Sequence, residues 1–314
     1  MLLRAIVLGS VVSVLGCSSS ADVASDSAAV TSASAGLHDL SAQWAGAKGA
    51  AIAVRGGTAY VGLGTGGVAV VDLATLRTLR TYTKDHAGLP LVADGVQLDG
   101  DALVVSGLRN EAPLAYGAGS QPVFAVSFLD PATGKDTKQV RIDMLSAISD
   151  RDSSIIDLPS MQARIADGQI AVSFVHDRGK KLLRVPVPAG SATLVGKDLL
   201  AGKTFPLGYA KDIAVVDGAA YLPEASGADD GYLHRIDLTT GASSRVGAKL
   251  GYPVAVAADG DRLLVGDHAG RLLVLDATGK QTAELEVDDF VTGIAVDEGR
   301  IFLSTWKGIF VAPQ

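Results

Sequence analysis

The stretch VAVAADGDRLLVG at 254–266, with the RLLVLDATGKQTAELEV that follows at 271–287, decides the fold. Two apolar runs of strand length flank Asp259-Gly260, a third run follows after a few loop residues, and a second turn leads into a more polar fourth run. Asp-Gly between alternating hydrophobic residues is a strong short-range signal for a β-hairpin, because both central positions of a type I′ turn need positive φ. The unit therefore reads as four antiparallel strands.

Working outward, the same hairpin recurs in AIAVRGGTAYVGL, VQLDGDALVVSG, ARIADGQIAVSF, IAVVDGAAYLPE and IAVDEGRIFLST. Aligned on Gly57, Gly100, Gly168, Gly218, Gly260 and Gly299, the repeats are spaced by 43, 68, 50, 42 and 39 residues. A third strand and second turn follow five of them, as in GVAVVDLATLRT, FAVSFLDPATGK and YLHRIDLTTGAS. Repeated four-stranded units at this spacing fit one propeller blade each better than a sandwich, with long insertions in two of them. The sixth unit supplies only three strands, so a strand from LHDLSAQWAG at 37–46 is expected to complete it and remove a free sheet edge. The predicted fold is all-β: a six-bladed β-propeller, four antiparallel strands per blade, closed by an N-terminal strand.

Composition agrees with that reading. Hydrophobic residues make up 48% of the 314 and charged residues 19%, with 37 glycines to serve the turns. A net charge of -7 without a Lys/Arg cluster excludes nucleic acid as a partner.

The segment before the repeats has a different character. Arg4 precedes the apolar stretch Ala5 to Val14, about half of the roughly 20 residues a spanning helix needs, and the pattern is that of an export signal. Its end, Val14-Leu15-Gly16-Cys17, resembles the lipobox of bacterial lipoproteins, although Val14 and the bulky Leu15 depart from the commoner residues. The resemblance implies acylation of Cys17 and cleavage before it, and a plain secretory signal is the competing reading. Cys17 is the only cysteine, so the exported domain carries no disulfide, and an acylated thiol accounts for its isolation. Residues 18–36 hold seven Ser and six Ala and nothing large enough to pack. Such a linker has a typical reach of about 24 Å. The expected organisation is a signal peptide at 1–16, an anchor cysteine and linker at 17–36, and the propeller at 37–314. Ser18 follows the cysteine where an aspartate often retains related lipoproteins in the inner membrane. The expected location is thus the outer membrane, facing the periplasm or the cell surface.

Pieces such as AYVGLGTGGVAVVDLATLRTL and RLLVGDHAGRLLVLDATGKQ resemble the YVTN and LVIVD class of bacterial propeller repeats over nearly all of 37–314. That class implies a fold and leaves function open. Trp44 and Trp306 do not occupy the repeated third-strand position of WD-type blades.

Propellers gather functional groups in the loops joining strands two and three of a blade and those joining strand four to the next blade. On this face the sequence places His86, Arg109, Glu111, Tyr116, His176, Asp177, Asp267, His268 and Trp306 as candidate binding residues. The loop GLRNEAPLAYGAGSQP at 107–122 combines the charges of Arg109 and Glu111 with the apolar Pro113, Leu114 and Tyr116, a mixture found at recognition surfaces. His86, His176 and His268 each adjoin an aspartate, which suits either a His/Asp site or ordinary turn chemistry. No metal site is assigned, because the histidines are about ninety residues apart and lack ligand spacing. Calcium-dependent lactonase propellers are similar in fold but use asparagines in their metal shell, and Asn110 is the only asparagine here. Two tryptophans cannot supply the tryptophan-rich blades of quinoprotein dehydrogenases, and no G-x-S-x-G elbow occurs. No cofactor is expected. The reading is a lipid-anchored, non-catalytic binding or scaffold protein, bound to the membrane through acyl chains and to a protein, peptide or glycan through its loop face. The alternative is a propeller-type hydrolase or lyase with a site of His and Asp residues on that face.

Overall fold

The computed structural model describes residues 35–85, 87–109, 123–143, 162–176, 179–201, 212–225 and 230–313, all within the compact unit Ser32–Gln314. After β1 (Gly36–Asp39), blade 1 comprises β2 (Ala51–Arg55), β3 (Thr58–Gly62), β4 (Val68–Asp72) and β5 (Arg77–Tyr82). Blade 2 comprises β6 (Gly95–Asp99), β7 (Ala102–Arg109), β8 (Val123–Leu129) and β9 (Asp136–Asp143). Blade 3 has β10 (Gln162–Ala166), β11 (Gln169–His176) and β12 (Gly179–Pro186), followed by β13 (Ala192–Val195) and the short β14 (Lys197–Asp198). Blade 4 is β15 (Ala214–Val216), β16 (Ala219–Ala225), β17 (Gly231–Asp237) and β18 (Ser243–Leu250). Blade 5 is β19 (Pro253–Asp259), β20 (Arg262–Asp267), β21 (Arg271–Leu275) and β22 (Gln281–Glu286). Blade 6 is β23 (Val291–Asp297), β24 (Arg300–Thr305) and β25 (Gly308–Val311), and β1 is its fourth strand.

These sheets form the expected six-bladed propeller. β1 pairs antiparallel with β25 from Gly36↔Val311 to Asp39↔Gly308, so the two ends of the domain close the ring. One strand departs from the simple repeat. β13 runs parallel to β9 of blade 2, from Ala192↔Val140 to Val195↔Asp143, and leaves the two residues of β14 as the fourth strand of its own blade. The long edge of β9 would otherwise stand open, and a parallel neighbour covers it.

The core lies between blades, because strand alternation sends neighbouring side chains to opposite faces of each sheet. In blade 1, Ile52, Val54, Val61 and Val71 join the seam with blade 6, whereas Ala53, Tyr60, Val68 and Val70 join the seam with blade 2. Six such clusters lie at the six junctions. This is why the strands read as nearly unbroken apolar runs.

The marker turns are of two kinds. Gly56-Gly57, Asp167-Gly168, Asp217-Gly218 and Glu298-Gly299 have positive φ at both central positions, the type I′ signature. In blades 2 and 5 the turn is shifted by one residue. Asp99 and Asp259 are the last strand residues, paired with Ala102 and Arg262, and of the turn residues only Gly100 and Gly260 have positive φ. A glycine at the first central position is what type II′ requires, so alignment on glycine conceals two turn geometries.

The turn from third to fourth strand has its own chemistry. Asp72 Oδ1 accepts from the Ala74 and Thr75 N–H groups, and Asp130 and Asp237 repeat this with Ala132 and Thr133, and with Thr239 and Thr240. Asp276 accepts from the N–H groups of Thr278 and Lys280 and from the Thr278 hydroxyl. These hydrogen bonds hold all four carboxyls below their ordinary range, chiefly through the backbone of Thr75, Thr133 and Thr240 and the hydroxyl of Thr278.

Two outcomes follow from this architecture. A Cβ at Gly308 would collide with the His38 carbonyl oxygen on the closing strand, whereas one at Gly190 would meet nothing within 4 Å. Gly308→Ala is expected to lower unfolding free energy by about 1–3 kcal/mol, the usual range for overpacking, with Gly190→Ala near neutral, both read from urea unfolding. The turn carboxyls stabilise the fold while ionised. Their folded pKa values lie below the unfolded ones, so the contribution is complete above the unfolded value, near pH 4, and is lost as pH falls through the folded values. Urea midpoints should decline below about pH 4, and less steeply when Asp72, Asp130, Asp237 and Asp276 are all replaced by Asn.

Candidate binding face

Each first strand runs away from the loops that join strands two to three and blade to blade, so those loops share one face. On it, side chains from consecutive loops form a row. Tyr252 precedes β19, His268 follows β20, Phe290 precedes β23, Trp306 follows β24 and Lys48 precedes β2. The Tyr252 and His268 rings meet edge-on at 5.3 Å, and His268 meets Phe290 edge-on at 4.3 Å. Phe290 and Trp306 stack at 4.7 Å with 9° between their planes, and the Lys48 ammonium lies 3.6 Å from the Trp306 ring centre. Aromatic pairs of this kind contribute about 0.5–1.5 kcal/mol beyond their burial, and a cation over an indole about 0.5–1 at an exposed site.

The backbone around the row is fixed by hydrogen bonds. Asp267 is fully buried and takes the Arg271 N–H on Oδ1 at 2.9 Å and its guanidinium on Oδ2 at 2.6–2.8 Å. That interaction raises the Arg271 pKa, with partial burial opposing it. Asp267 therefore builds the turn that presents His268 and is not itself offered to a partner. The His268 N–H donates to the Tyr252 carbonyl at 2.9 Å, and the Lys307 N–H donates to Asp289 Oδ2 at 3.0 Å beside Trp306. Gly49 approaches the Thr305 carbonyl so closely that a Cβ would clash with it. Only glycine lets the Lys48 loop come up against Trp306.

Of the residues singled out from sequence, Asp267, His268 and Trp306 come together here. Trp306 is 37% exposed, one of four large apolar residues on the described surface, and Phe290 beneath it is 9% exposed. The backbone places Arg109 and His176 at the loop-face ends of β7 and β11. Cys17, His86, Glu111, Tyr116 and Asp177 lie outside the described residues. The one ring of the three Asp-flanked histidines whose surroundings are described, His268, contacts two aromatic rings. Among the described residues, no three His, Cys, Asp or Glu side chains are grouped to hold a metal ion.

Sequence reasoning missed Tyr252, Phe290 and Lys48. A signal for two of them was available: Tyr252 and Phe290 are 38 residues apart, as are His268 and Trp306, so each pair occupies equivalent positions in blades 5 and 6. It also missed the buried pair His234 Nε2 and Glu224 Oε2. Glu224 lies within β16.

A family model described as outer membrane protein assembly factor BamB matches residues 229–312. That stretch contains every aromatic member of the row. No curated protein matches the chain. Among solved structures, the computationally designed Ika8 protein is similar at 14% identity and a TM-score of 0.47, over 85% of this chain and 96% of that one. BamB from Moraxella catarrhalis is similar at 15% identity and a TM-score of 0.46, over 84% of this chain and 83% of that one.

The row can be tested through its own fluorophore, since Trp44 is buried at 3% exposure and Trp306 is the only other tryptophan. Acrylamide quenching should resolve one protected and one accessible tryptophan. Phe290→Ala should steepen quenching of the accessible one and weaken near-ultraviolet circular dichroism. An unchanged quenching slope would mean that Phe290 does not hold the indole.

Proposed function

We propose that the chain is a lipid-anchored, non-catalytic scaffold that docks a protein partner in outer-membrane assembly through its loop face. The observation that carries this reading is the half-exposed Trp306, stacked on Phe290 and capped by Lys48. Interface energy concentrates in a few anchors enriched in Trp, Tyr and Arg. A ring already fixed in place loses less conformational entropy on binding than a free one. The family match over 229–312 supports the choice of partner class, since its description names outer-membrane assembly and it spans these rings. Acyl chains on Cys17 and the linker at 18–36 would hold the propeller at the membrane, on the periplasmic or the outer surface. Several chains on one residue give stable attachment where one would not.

The experiment compares wild type, Cys17→Ser and Trp306→Ala with Lys48→Glu, expressed in the native envelope and cross-linked before purification in mild detergent. Metabolic acyl labelling and membrane retention should be lost in Cys17→Ser. Recovery of cross-linked outer-membrane assembly proteins should fall about tenfold or more in the row variant, matching the loss of an anchor residue, with its urea midpoint close to wild type. Undiminished recovery from a folded row variant would sink the docking assignment.

A further inference from the structure

The parallel strand β13 ends the five-stranded sheet of blade 2, in the order β13-β9-β8-β7-β6. Its four residues pair with β9 alone, from Ala192↔Val140 to Val195↔Asp143, and among the described residues no backbone hydrogen bond reaches its other side. A strand bonded on one side only presents a row of N–H and C=O groups that another chain can pair with.

The other outer strands are guarded. β5, β18 and β22 each shift register against their neighbour and carry Arg77 and Arg80, Arg245 and Lys249, and Glu284 and Glu286 respectively. β1 ends in His38 and Asp39, and β14 is Lys197-Asp198. Bulges and charges are devices by which sheet edges avoid further pairing. β13 reads Ala192-Thr193-Leu194-Val195, runs in unbroken register and has neither. Leu194 packs against the seam between blades 2 and 3, which leaves Thr193 and Val195 on the exposed side. Val195 is 61% exposed, the most of any large apolar residue on the described surface. Four residues give about 13 Å of edge. That is room for an extended segment and too little for the roughly 1,200 Å² that a stable contact between folded copies buries.

Charge selects the segment. From Lys138 to Asp143 in β9 and from Ala192 to Asp198, the charged residues are Lys138, Arg141 and Lys197 against Asp143 and Asp198. Asp198 is already paired with Lys181 at 3.1 Å. Arg141 is the register partner of Thr193, and Lys197 is exposed just beyond Val195. The edge is therefore cationic in a chain of net charge -7. A second copy would set one cationic edge against another, whereas an acidic strand meets opposite charge.

We propose that β13 is a docking edge for an extended acidic segment of another protein, which adds to the sheet of blade 2 beyond its fifth strand. In strand addition of this kind main-chain hydrogen bonds supply affinity, and alternate side chains supply selectivity. Here Thr193 and Val195 are the side chains that the segment meets. The edge belongs to the outer rim and is independent of the loop-face docking described above, so either can fail alone.

The test titrates the purified full chain, in mild detergent, with the capped fluorescent peptide EVTVTE, its lysine counterpart KVTVTK, and EVTVTE N-methylated at its interior residues. Anisotropy reads affinity, and amide hydrogen exchange with mass spectrometry reads the site. EVTVTE should bind saturably, slow exchange across Ala192–Val195 and weaken as salt rises. It should bind about tenfold or more tightly than either of the others, the scale set by opposed charges and lost main-chain bonds. Val195→Glu, at an exposed position, should weaken it by about the same factor, with a urea midpoint close to wild type. Equal binding of KVTVTK or of the N-methylated peptide, full affinity in Val195→Glu, protection elsewhere than in β13, or no binding of EVTVTE would each overturn the proposal. Dimerisation of the wild type that Val195→Glu abolishes would assign the edge to a second copy and overturn it as well.

Discussion

Everything in this fold depends on the antiparallel pairing of β1 with β25. A blade with two apolar faces is not stable alone, because each face needs a neighbouring sheet against it. An open row of blades would leave two such faces in water, and a ring leaves none. Four residue pairs, Gly36↔Val311 to Asp39↔Gly308, supply the missing strand, and the Leu40 N–H extends the tie to the Lys307 carbonyl at 2.8 Å. Leu40 and Trp44 then enter the seam between blades 6 and 1 beside Ile309 and Val311. The chain beyond β1 must next climb to the first strand of blade 1. That path carries Lys48 to Trp306, so ring closure and the end of the aromatic row come from the same few residues.

The ring also separates two kinds of chemistry. Hairpins between first and second strands are two residues long and fixed by φ, and can vary little except in the charge of their side chains. Loops on the other face carry no register constraint and take aromatic rings, insertions and buried support such as Asp267 with Arg271. Blade 4 shows how far that support extends inward. Glu224 alternates along β16 with Ala220 and Leu222, which belong to the seam with blade 3, and so its pair with His234 sits on that apolar face near the loop end. Two buried polar groups are tolerated there because each satisfies the other.

The part of this that was legible from sequence follows from locality. The six hairpins and the strand count are set by residues within a few positions of one another, and periodicity exposes them, while the closing strand follows from the sixth unit being one strand short. The parallel strand β13 was not legible, because Ala192–Val195 chooses between its own blade and the edge of β9, a choice decided by tertiary contact. In that contact Lys138 reaches the Pro188 carbonyl and the Gln139 N–H reaches Ser191 Oγ. The II′ turns at Gly100 and Gly260 were hidden for a subtler reason: Asp-Gly-Asp offers two registers, and only pairing across the hairpin selects one. At the candidate site Asp267, His268 and Trp306, singled out from sequence, lie at the end of β20 and on the loops that follow β20 and β24. Their partners Tyr252, Phe290 and Lys48 come from the loops that lead into blades 5, 6 and 1, and only the 38-residue repeat of the first two marks them in the sequence.

The repeat nevertheless accounts for the row once the blades are superimposed in thought. In blades 5 and 6 the loop leading into the blade and the one joining its middle strands lie side by side, which brings aromatic residues at these two positions within ring-to-ring distance. Blades 5 and 6 fill both positions, with Tyr252 and His268 and then Phe290 and Trp306. In blade 1 the corresponding middle loop is Leu63-Gly64-Thr65-Gly66-Gly67, which has no aromatic side chain, and the row ends at Lys48. Among the described residues the line of contacts runs from Tyr252 to Lys48, across blades 5, 6 and 1.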